Sequence, residues 1–356
     1  MSYVIRSARL MSLFAFFYLV AMASCFSQSQ RLSIQGLPPE LPIEIGGNAW
    51  FLFLDGTIDT DAPRRFEEYL KANGIPDRSH VYLNSPGGSL VAGIKIGRLI
   101  RKHGLSTNIG TRLSSAKKRY DITDGGCFSA CAYAYLGGQF RYLHNGSRYG
   151  VHQFATRDQR GGNESSAQIA SAMIVEYISS MDVDTALFKL SVLAAPAGMN
   201  EIDLRNLERL NVVNNGRTRP KWTLESAEEH LYLKGERLSD ESGINKFMLM
   251  CVQREPILYV IFDALRRDKE LMRMSAHSLL INDDVYRITV ESREVRNGWF
   301  NGTYRLSSKE IEALRKAERV GVTIQFAYGA PVFLGFQEMP VADGRQKLLG
   351  FLNQCK

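Results

Sequence analysis

The chain has 356 residues, enough for about two domains, and 45% of them are hydrophobic, which is enough to bury a substantial core. This composition excludes a disordered, collagen-like or disulfide-scaffold protein. The 44 Lys and Arg residues outnumber the 37 Asp and Glu residues, but they are spread along the chain, so we expect no nucleic-acid partner.

The N-terminus has the pattern of a secretory signal peptide over residues 1–23. Arg6 and Arg9 precede an apolar run that ends at Ala23 with a small-residue cleavage pattern. This run is shorter than the roughly 20 apolar residues of a membrane span. We therefore expect export to a bacterial periplasm, with an uncleaved anchor or a lipid on Cys25 as the alternatives.

A linker over residues 24–48 is predicted to lead into an α/β domain over residues 49–218. Short apolar runs alternate there with amphipathic stretches, which is typical of a sheet covered by helices. The first predicted elements are a strand at 50–54, a helix at 63–72, a strand at 81–83 and a helix at 90–102.

Turn residues concentrate at 214–221 and predict the domain boundary. Beyond it, residues 222–356 are predicted to form a smaller α+β or mostly-β accessory domain. Its predicted strands lie at 247–251, 285–290, 303–306 and 322–326, and its predicted helices at 308–317 and 344–352. Cys251 and Cys355 lie near either end of this region and form a candidate disulfide in an exported protein, the alternative being two unrelated buried thiols.

The first segment that can carry chemistry is a strand that stops at Asn84-Ser85-Pro86-Gly87-Gly88 and runs into a helix. Glycines can take positive φ, and the amides of such a turn can point outward together and stabilise an anion. From this segment alone, an ordinary tight turn is the simpler interpretation.

The second segment places Ser129 at the start of a small-residue helix that ends at Gly137, after Gly125 and Gly126. Unpaired amides and the positive end of the helix dipole both favour a developing oxyanion there, so this serine is a candidate nucleophile. The alternative is plain N-capping, for which Ser is a preferred residue.

The third segment is a predicted strand that carries His152. Alternation along the strand directs its side chain away from that of Val151. A serine needs a neighbouring base to lose its proton, and His103 and His144 fit that role less well, since they lie at a helix end and in a turn. His152 is the candidate base, the alternative being a structural histidine.

Together these segments resemble the Clp-type serine peptidases of the Clp/crotonase superfamily. The resemblance rests on Asn84-Ser85-Pro86-Gly87-Gly88, on the serine at 129 and on Gly150-Val151-His152-Gln153, in that order and spacing. It covers residues 50–214 and implies a spiral of β-β-α units, a fold that commonly assembles into oligomers.

The resemblance also implies roles for individual residues. Ser129 would be the nucleophile and His152 its base. The amides of Gly87 or Gly88 and of Ala130 would form the oxyanion hole.

The third member of the catalytic triad is where the chain departs from the family. The position of the acid falls near Met199 or Asn200, with no Asp on the spot. Asp203 is close but is better explained as a helix N-cap. Asn200 is therefore the candidate orienting residue, as Asn is in the Cys-His-Asn proteases.

Two cysteines, Cys127 and Cys131, flank the serine. They are either a strained bridge that gates the site or two small buried thiols. Their spacing, taken with that of His144 and His152, does not fit a zinc site, and we expect neither a metal nor a cofactor.

The sequence thus favours an exported, ATP-independent serine peptidase that acts on peptides or unfolded proteins. No ATPase partner is expected in the exported compartment, and a homo-oligomer is an option that the resemblance leaves open. The missing acid and the additional domain motivate an alternative, an inactive Clp-like scaffold that works as a periplasmic protein-binding module. Acyl-CoA chemistry of the crotonase kind fits poorly with export.

Overall fold

A computed structural model of the chain describes residues 31–40, 48–113, 121–154, 164–195, 198–227 and 230–355, so the predicted signal peptide and Cys25 lie outside the described residues. The described chain is a mixed α/β protein that is richer in strands than in helices. None of its helices is long and apolar enough to cross a bilayer.

The chain divides into two compact units. The first contains the described residues up to Gly137 together with those within His144–Ser166 and Lys189–Ile202. The second contains Gly138–Leu143, Ala167–Phe188 and the described residues from Asp203 onward.

Four strands of the first unit form a sheet in the order β1-β2-β3-β4. They are β1 (Ser33–Leu37), β2 (Phe51–Asp55), β3 (His80–Asn84) and β4 (Ser106–Ile109). β1 is antiparallel to β2, whereas β2, β3 and β4 are parallel. Parallel strands are covered on both faces, which explains the continuous apolar runs of β2 and β3 and confirms the strands predicted there.

β1 lies within the segment predicted as a linker, 24–48. Its sequence, Ser-Ile-Gln-Gly-Leu, is too short and polar to stand out, and its pairing with β2 makes it a strand. A short pair, β5 (Thr111–Arg112) and β6 (Ile122–Thr123), follows β4.

Two helices of the first unit have the predicted positions. α1 (Ala62–Ala72) has Pro63 in its first turn, where the missing N–H costs nothing, and it buries Phe66 and Leu70. α2 (Leu90–Lys102) begins after Ser89, whose hydroxyl accepts a hydrogen bond from the Ala92 amide.

The remaining strands of the first unit form a second sheet. Helix α3 (Ala130–Leu136) follows strand β7 (Gly126–Phe128), and strand β8 (Arg141–Leu143) belongs to the second unit. β9 (Arg148–Val151) is parallel to β7, and β10 (Asn200–Glu201) is antiparallel to β9. Only one residue, Ser129, separates β7 from α3.

Three further helices lie between residues 164 and 209, namely α4 (Glu164–Ser180), α5 (Ala186–Val192) and α6 (Leu204–Arg209). Arg141 of β8 is buried and donates hydrogen bonds to the carbonyls of Gly138, Asn211 and Val212. These bonds tie β8 to the segment after α6. The boundary predicted between residues 218 and 222 therefore falls inside the second unit.

From residue 221 onward the second unit is dominated by two antiparallel sheets, in the orders β11-β12-β13-β14-β18-β17 and β16-β15-β19-β20. The strands are β11 (Lys221–Ala227), β12 (His230–Ser239), β13 (Gly243–Val252), β14 (Glu255–Asp263), β15 (Ala276–Ile281), β16 (Asp284–Arg287), β17 (Thr289–Arg296), β18 (Trp299–Arg305), β19 (Arg319–Gln325) and β20 (Leu334–Pro340). The helices are α7 (Asp268–Leu271), α8 (Ser308–Arg315) and α9 (Arg345–Gln354).

The residues in β12 and β14 alternate between buried and less buried positions, as expected for sheets that cover a core on one face. The core includes Trp222, Phe247 and Phe300. The single strand predicted at 285–290 is wrong, because Ile288 interrupts it: this buried residue donates its amide to the His277 carbonyl and separates β16 from β17.

Cys251 of β13 and Cys355, which follows α9, form a disulfide across 104 residues. At the edge of the larger sheet, β17 has a register shift between Val290 and Ser292. The exposed side chains of this edge strand include Glu291, Glu294 and Arg296.

A buried histidine, His277 of β15, joins the two sheets. Its Nδ1 lies 2.9 Å from the Tyr304 hydroxyl, and its Nε2 lies 2.9 Å from a guanidinium nitrogen of Arg293. Nε2 also lies 3.3 Å from the Met274 carbonyl, but the guanidinium is closer and only donates, so Nε2 is the acceptor and Nδ1 carries the proton. Burial lowers the pKa of His277 to about 4, and the Arg293 charge acts in the same direction.

This depressed pKa predicts a loss of stability in mild acid. Between pH 6.5 and pH 4 the unfolded chain takes up a proton at residue 277 that the folded chain refuses, so the free energy of unfolding falls as the pH falls. We expect about 2 kcal/mol less stability from this group at pH 5 than at pH 7. Urea unfolding of wild type and His277→Gln at the two pH values measures it.

The variant should show the smaller pH dependence, whatever its absolute stability. His230→Gln, at an exposed position, is the control and should keep the wild-type difference. Equal pH dependence in His277→Gln and wild type would contradict the neutral buried imidazole.

Candidate active site

Ser129 makes the entire turn from β7 into α3. Its backbone angles are φ 57° and ψ −120°, a region that costs a residue with a Cβ about 1–3 kcal/mol. Although it occupies the N-cap position of α3, its hydroxyl makes no capping hydrogen bond. N-capping therefore does not explain this serine, and strain of this kind is concentrated at functional sites.

Backbone hydrogen bonds on both sides hold the turn. The Ser129 amide donates to the Gly150 carbonyl at 3.0 Å, and the Phe128 amide donates to the Ser85 carbonyl at 3.0 Å. A Cβ on Gly87 would lie 2.7 Å from the Ser129 Cβ, and Gly87 has φ +105°. Residue 87 must therefore be glycine for the two turns to approach this closely.

The backbone amides near the serine differ in whether they donate a hydrogen bond within the protein. The Gly87 amide donates to the Ser85 hydroxyl at 3.1 Å. Within the described chain, the amides of Gly88 and Ala130 donate no hydrogen bond to another protein group. Of the three predicted oxyanion donors, Gly88 and Ala130 are thus available, whereas Gly87 orients the turn.

His152 follows directly after β9 and lines the same cavity as Ser129. The cavity has a volume of about 610 Å³. Its walls are Thr57, Ile58, Asp59, Thr60, Gly88, Ser89, Leu90, Ser129, Tyr133, His152 and Phe154. The structure therefore brings the predicted nucleophile, the predicted base and one predicted oxyanion donor to one cavity, although no hydrogen bond joins Ser129 to His152.

The imidazole of His152 is oriented by a backbone group. Its Nδ1 lies 2.7 Å from the carbonyl oxygen of Gln153. Because that oxygen can only accept, Nδ1 carries the proton and Nε2 keeps its lone pair, as a general base requires. Gln153 is itself fixed, since its amide donates to the Ala194 carbonyl and its Nε2 to the Val192 carbonyl.

Asn200, the candidate orienting residue, lies on β10, where it pairs with Val151. Its side-chain amide donates to the Leu190 carbonyl at 3.0 Å and not to His152. Asn200 as the orienting group stays a prediction that these contacts do not support. The sequence could not reveal the Gln153 carbonyl, because a backbone oxygen leaves no residue-type signal.

Two further residues of the cavity wall are Tyr133, which was expected to change the pocket wall, and Asp59, which was not anticipated. Tyr133, one helical turn after Ser129, is buried, and burial raises the pKa of its hydroxyl, which is hydrogen-bonded to Ser191. Asp59 is paired with Arg65 at 2.5 Å and with Arg31 at 3.4 Å. Its charge is thereby compensated.

Cys127 and Cys131 form a disulfide, with their Cα atoms 5.1 Å apart. Cys127 lies in β7 and Cys131 in α3, and both are fully buried. The bridge spans the turn that Ser129 makes.

The position of α3 depends on close packing against α2. A Cβ on Gly93 would lie 2.2 Å from the carbonyl oxygen of Ala130, and a Cβ on Gly137 would lie 2.1 Å from the carbonyl oxygen of Gly97. Glycines at both ends of the contact let the helix backbones approach, and this fixes the start of α3.

Neither a protein-family model nor a curated protein matches this chain.

The helix contact gives a direct test. Gly93→Ala forces a methyl group against the Ala130 carbonyl, and overpacking of this kind typically costs about 1–3 kcal/mol. Urea unfolding of the full chain measures the loss. The control is Gly350→Ala in α9, where an added Cβ meets nothing within 4 Å and helix propensity favours alanine.

Gly93→Ala should therefore lower the free energy of unfolding, and Gly350→Ala should raise it. A Gly93→Ala protein as stable as wild type would show that α2 and α3 are not held as closely as described.

Proposed function

We propose that the protein is an exported, ATP-independent serine peptidase that hydrolyses peptide bonds through an acyl-enzyme on Ser129. The observation that carries the proposal is the strained turn at Ser129, a residue whose hydroxyl does not cap its helix and which lines the same cavity as His152. A structural serine would gain nothing from this conformation.

The chemistry follows from the groups around the cavity. His152 Nε2 accepts the proton of the Ser129 hydroxyl as Oγ attacks the substrate carbonyl. The resulting oxyanion is stabilised by the unengaged amides of Gly88 and Ala130. His152 then donates the proton to the leaving amine, and a water molecule, deprotonated by His152, hydrolyses the acyl-enzyme.

The Gln153 carbonyl performs part of the role of a triad carboxylate. It holds the imidazole in the tautomer that leaves Nε2 unprotonated. A carbonyl dipole has no net charge, so it stabilises the imidazolium less than a carboxylate does. We expect a slow peptidase for that reason.

The wider expectations belong to the same proposal. Parallel strands β2, β3 and β4 with intervening helices support a Clp/crotonase-like spiral of β-β-α units. Two disulfides support folding in an oxidising compartment such as the periplasm. A homo-oligomer and peptides or unfolded proteins as substrates follow from the resemblance alone.

One observation favours a second candidate function, a protein-binding module on an inactive scaffold. In the described chain, no carboxylate contacts His152, and Ser129 and His152 are not hydrogen-bonded. A binding module would retain peptides without cleaving them, so turnover of a peptide library by the purified mature protein separates the two functions.

The first test removes the nucleophile. Ser129→Ala should abolish peptide hydrolysis and labelling by a fluorophosphonate, with little change in stability because this hydroxyl caps nothing. The matched control is Ser307→Ala, at the N-cap of α8, where the hydroxyl accepts from the Lys309 amide in a capping box. That variant should lose about 1 kcal/mol of stability and keep full labelling.

Undiminished labelling of Ser129→Ala would reject Ser129 as the nucleophile. Absence of both labelling and turnover in the wild type, with retained peptide binding, would favour the second candidate.

The second test removes the base. His152→Ala should lower kcat by about 10²- to 10⁴-fold while KM changes little, because the imidazole transfers a proton in the transition state and does not bind the substrate. His144→Ala, at an exposed turn position, is the control and should behave as wild type. Steady-state hydrolysis of one peptide by wild type, His152→Ala and His144→Ala measures kcat and KM. An unchanged kcat in His152→Ala would exclude His152 as the base.

A further inference from the structure

The disulfide between Cys127 and Cys131 encloses the candidate nucleophile. The three residues inside it are Phe128, Ser129 and Ala130, which supply the last strand residue, the nucleophile and one oxyanion amide. Of the two bridges in the described chain, only this one touches the site.

The geometry of the chain shows what such a bridge constrains. Four residues of extended chain would separate the two Cα atoms by about 13 Å. They lie 5.1 Å apart, so the chain reverses within the loop. Because β7 ends at Phe128 and α3 begins at Ala130, the change from extended to helical backbone takes place at Ser129, with its φ of 57°.

The two ends of the bridge belong to different elements. Cys127 pairs with Tyr149 in the second sheet and forms a β-bridge with Ser85. Cys131 lies in the first turn of α3, which packs against α2 through Gly93. The disulfide thus connects the sheet to the helix across one unfavourable residue.

We propose that the Cys127–Cys131 disulfide is a positioning element that holds Ser129 in its left-handed conformation. With the sulfurs separated, the end of β7 and the first turn of α3 can move apart, and Ser129 relaxes to a negative φ. The hydroxyl then moves relative to His152, and the Ala130 amide turns away from the place of the oxyanion.

The two bridges should differ in what their removal costs. Cys251–Cys355 closes a loop of 104 residues and restricts the unfolded chain far more than the short loop around Ser129 does. Loss of the long bridge should lower the melting temperature and leave catalysis unchanged. Loss of the short bridge should affect the site more than the melting temperature.

The decisive experiment is a crystal structure of Cys127→Ala/Cys131→Ala. We expect a negative φ at Ser129 in place of the left-handed value. A φ that stays near 57° would overturn the proposal, because the turn would then be held by the hydrogen bonds and glycines alone. This result is independent of any activity.

The consequence for rate rests on the proposed function. Relative to wild type, the double variant should lose about 10²-fold in kcat and in the rate of fluorophosphonate labelling, with KM within about threefold, because a displacement of about 1 Å can cost this much. Cys251→Ala/Cys355→Ala is the matched control. Equal kcat in both pairs would overturn the positioning role, whereas an inert wild type would reject the peptidase and leave the crystal structure to decide the conformation.

If the double variant does not fold, wild-type protein treated with a water-soluble phosphine replaces it. The phosphine takes an oxygen from water and becomes its oxide, and the two sulfurs become thiols. Hydrogen exchange should then rise in the peptide covering residues 126–136 once that disulfide is reduced. Unchanged exchange in this peptide with both thiols free would overturn the proposal.

Discussion

A single residue, Ser129, connects β7 to α3, and the organisation of the first unit follows from that constraint. A strand and a helix joined by a single residue force that residue into an unusual backbone conformation, and Ser129 takes it with φ 57°. The surrounding chain must come close without side chains in the way. Gly87 lies against the Ser129 Cβ and Gly93 against the Ala130 carbonyl, so both glycines are consequences of the same turn.

Few charged groups act on the candidate site. His152 is oriented by a neutral carbonyl, and the acidic group on the cavity wall, Asp59, is already paired with Arg65 and Arg31. In the proposed reaction, stabilisation of the developing charge therefore falls to main-chain amides. Such amides are fixed by the fold and need no reorganisation when the charge appears.

Much of this arrangement could be predicted from the sequence, because it is carried by local signals. The helix at 90–102 has its N-cap Ser89 and a clear apolar stripe, and its bounds agree with the prediction. The convergence of Ser129 and His152 on one cavity was implied by the resemblance to the Clp-type serine peptidases, which rests on motif order and spacing. The helix and the shared cavity both depend on residue types that can be recognised in the sequence.

The features that the sequence could not provide depend on contacts between distant residues. The choice between Gly87 and Gly88 depends on the hydroxyl of Ser85, and the orientation of His152 depends on a backbone oxygen. The extent of the second unit depends on Arg141, whose guanidinium binds carbonyls some 70 residues further along the chain. None of these contacts has a local signature.

One of the two outer strands of the larger sheet, β17, has features that limit the pairing of other chains with it. An open strand normally offers its unpaired amides and carbonyls to any extended chain, and proteins suppress this with charges and bulges. β17 has both, in Glu291, Glu294 and Arg296 and in the register shift after Val290. Strand addition at this border is therefore disfavoured, which protects the second unit from aggregating through it.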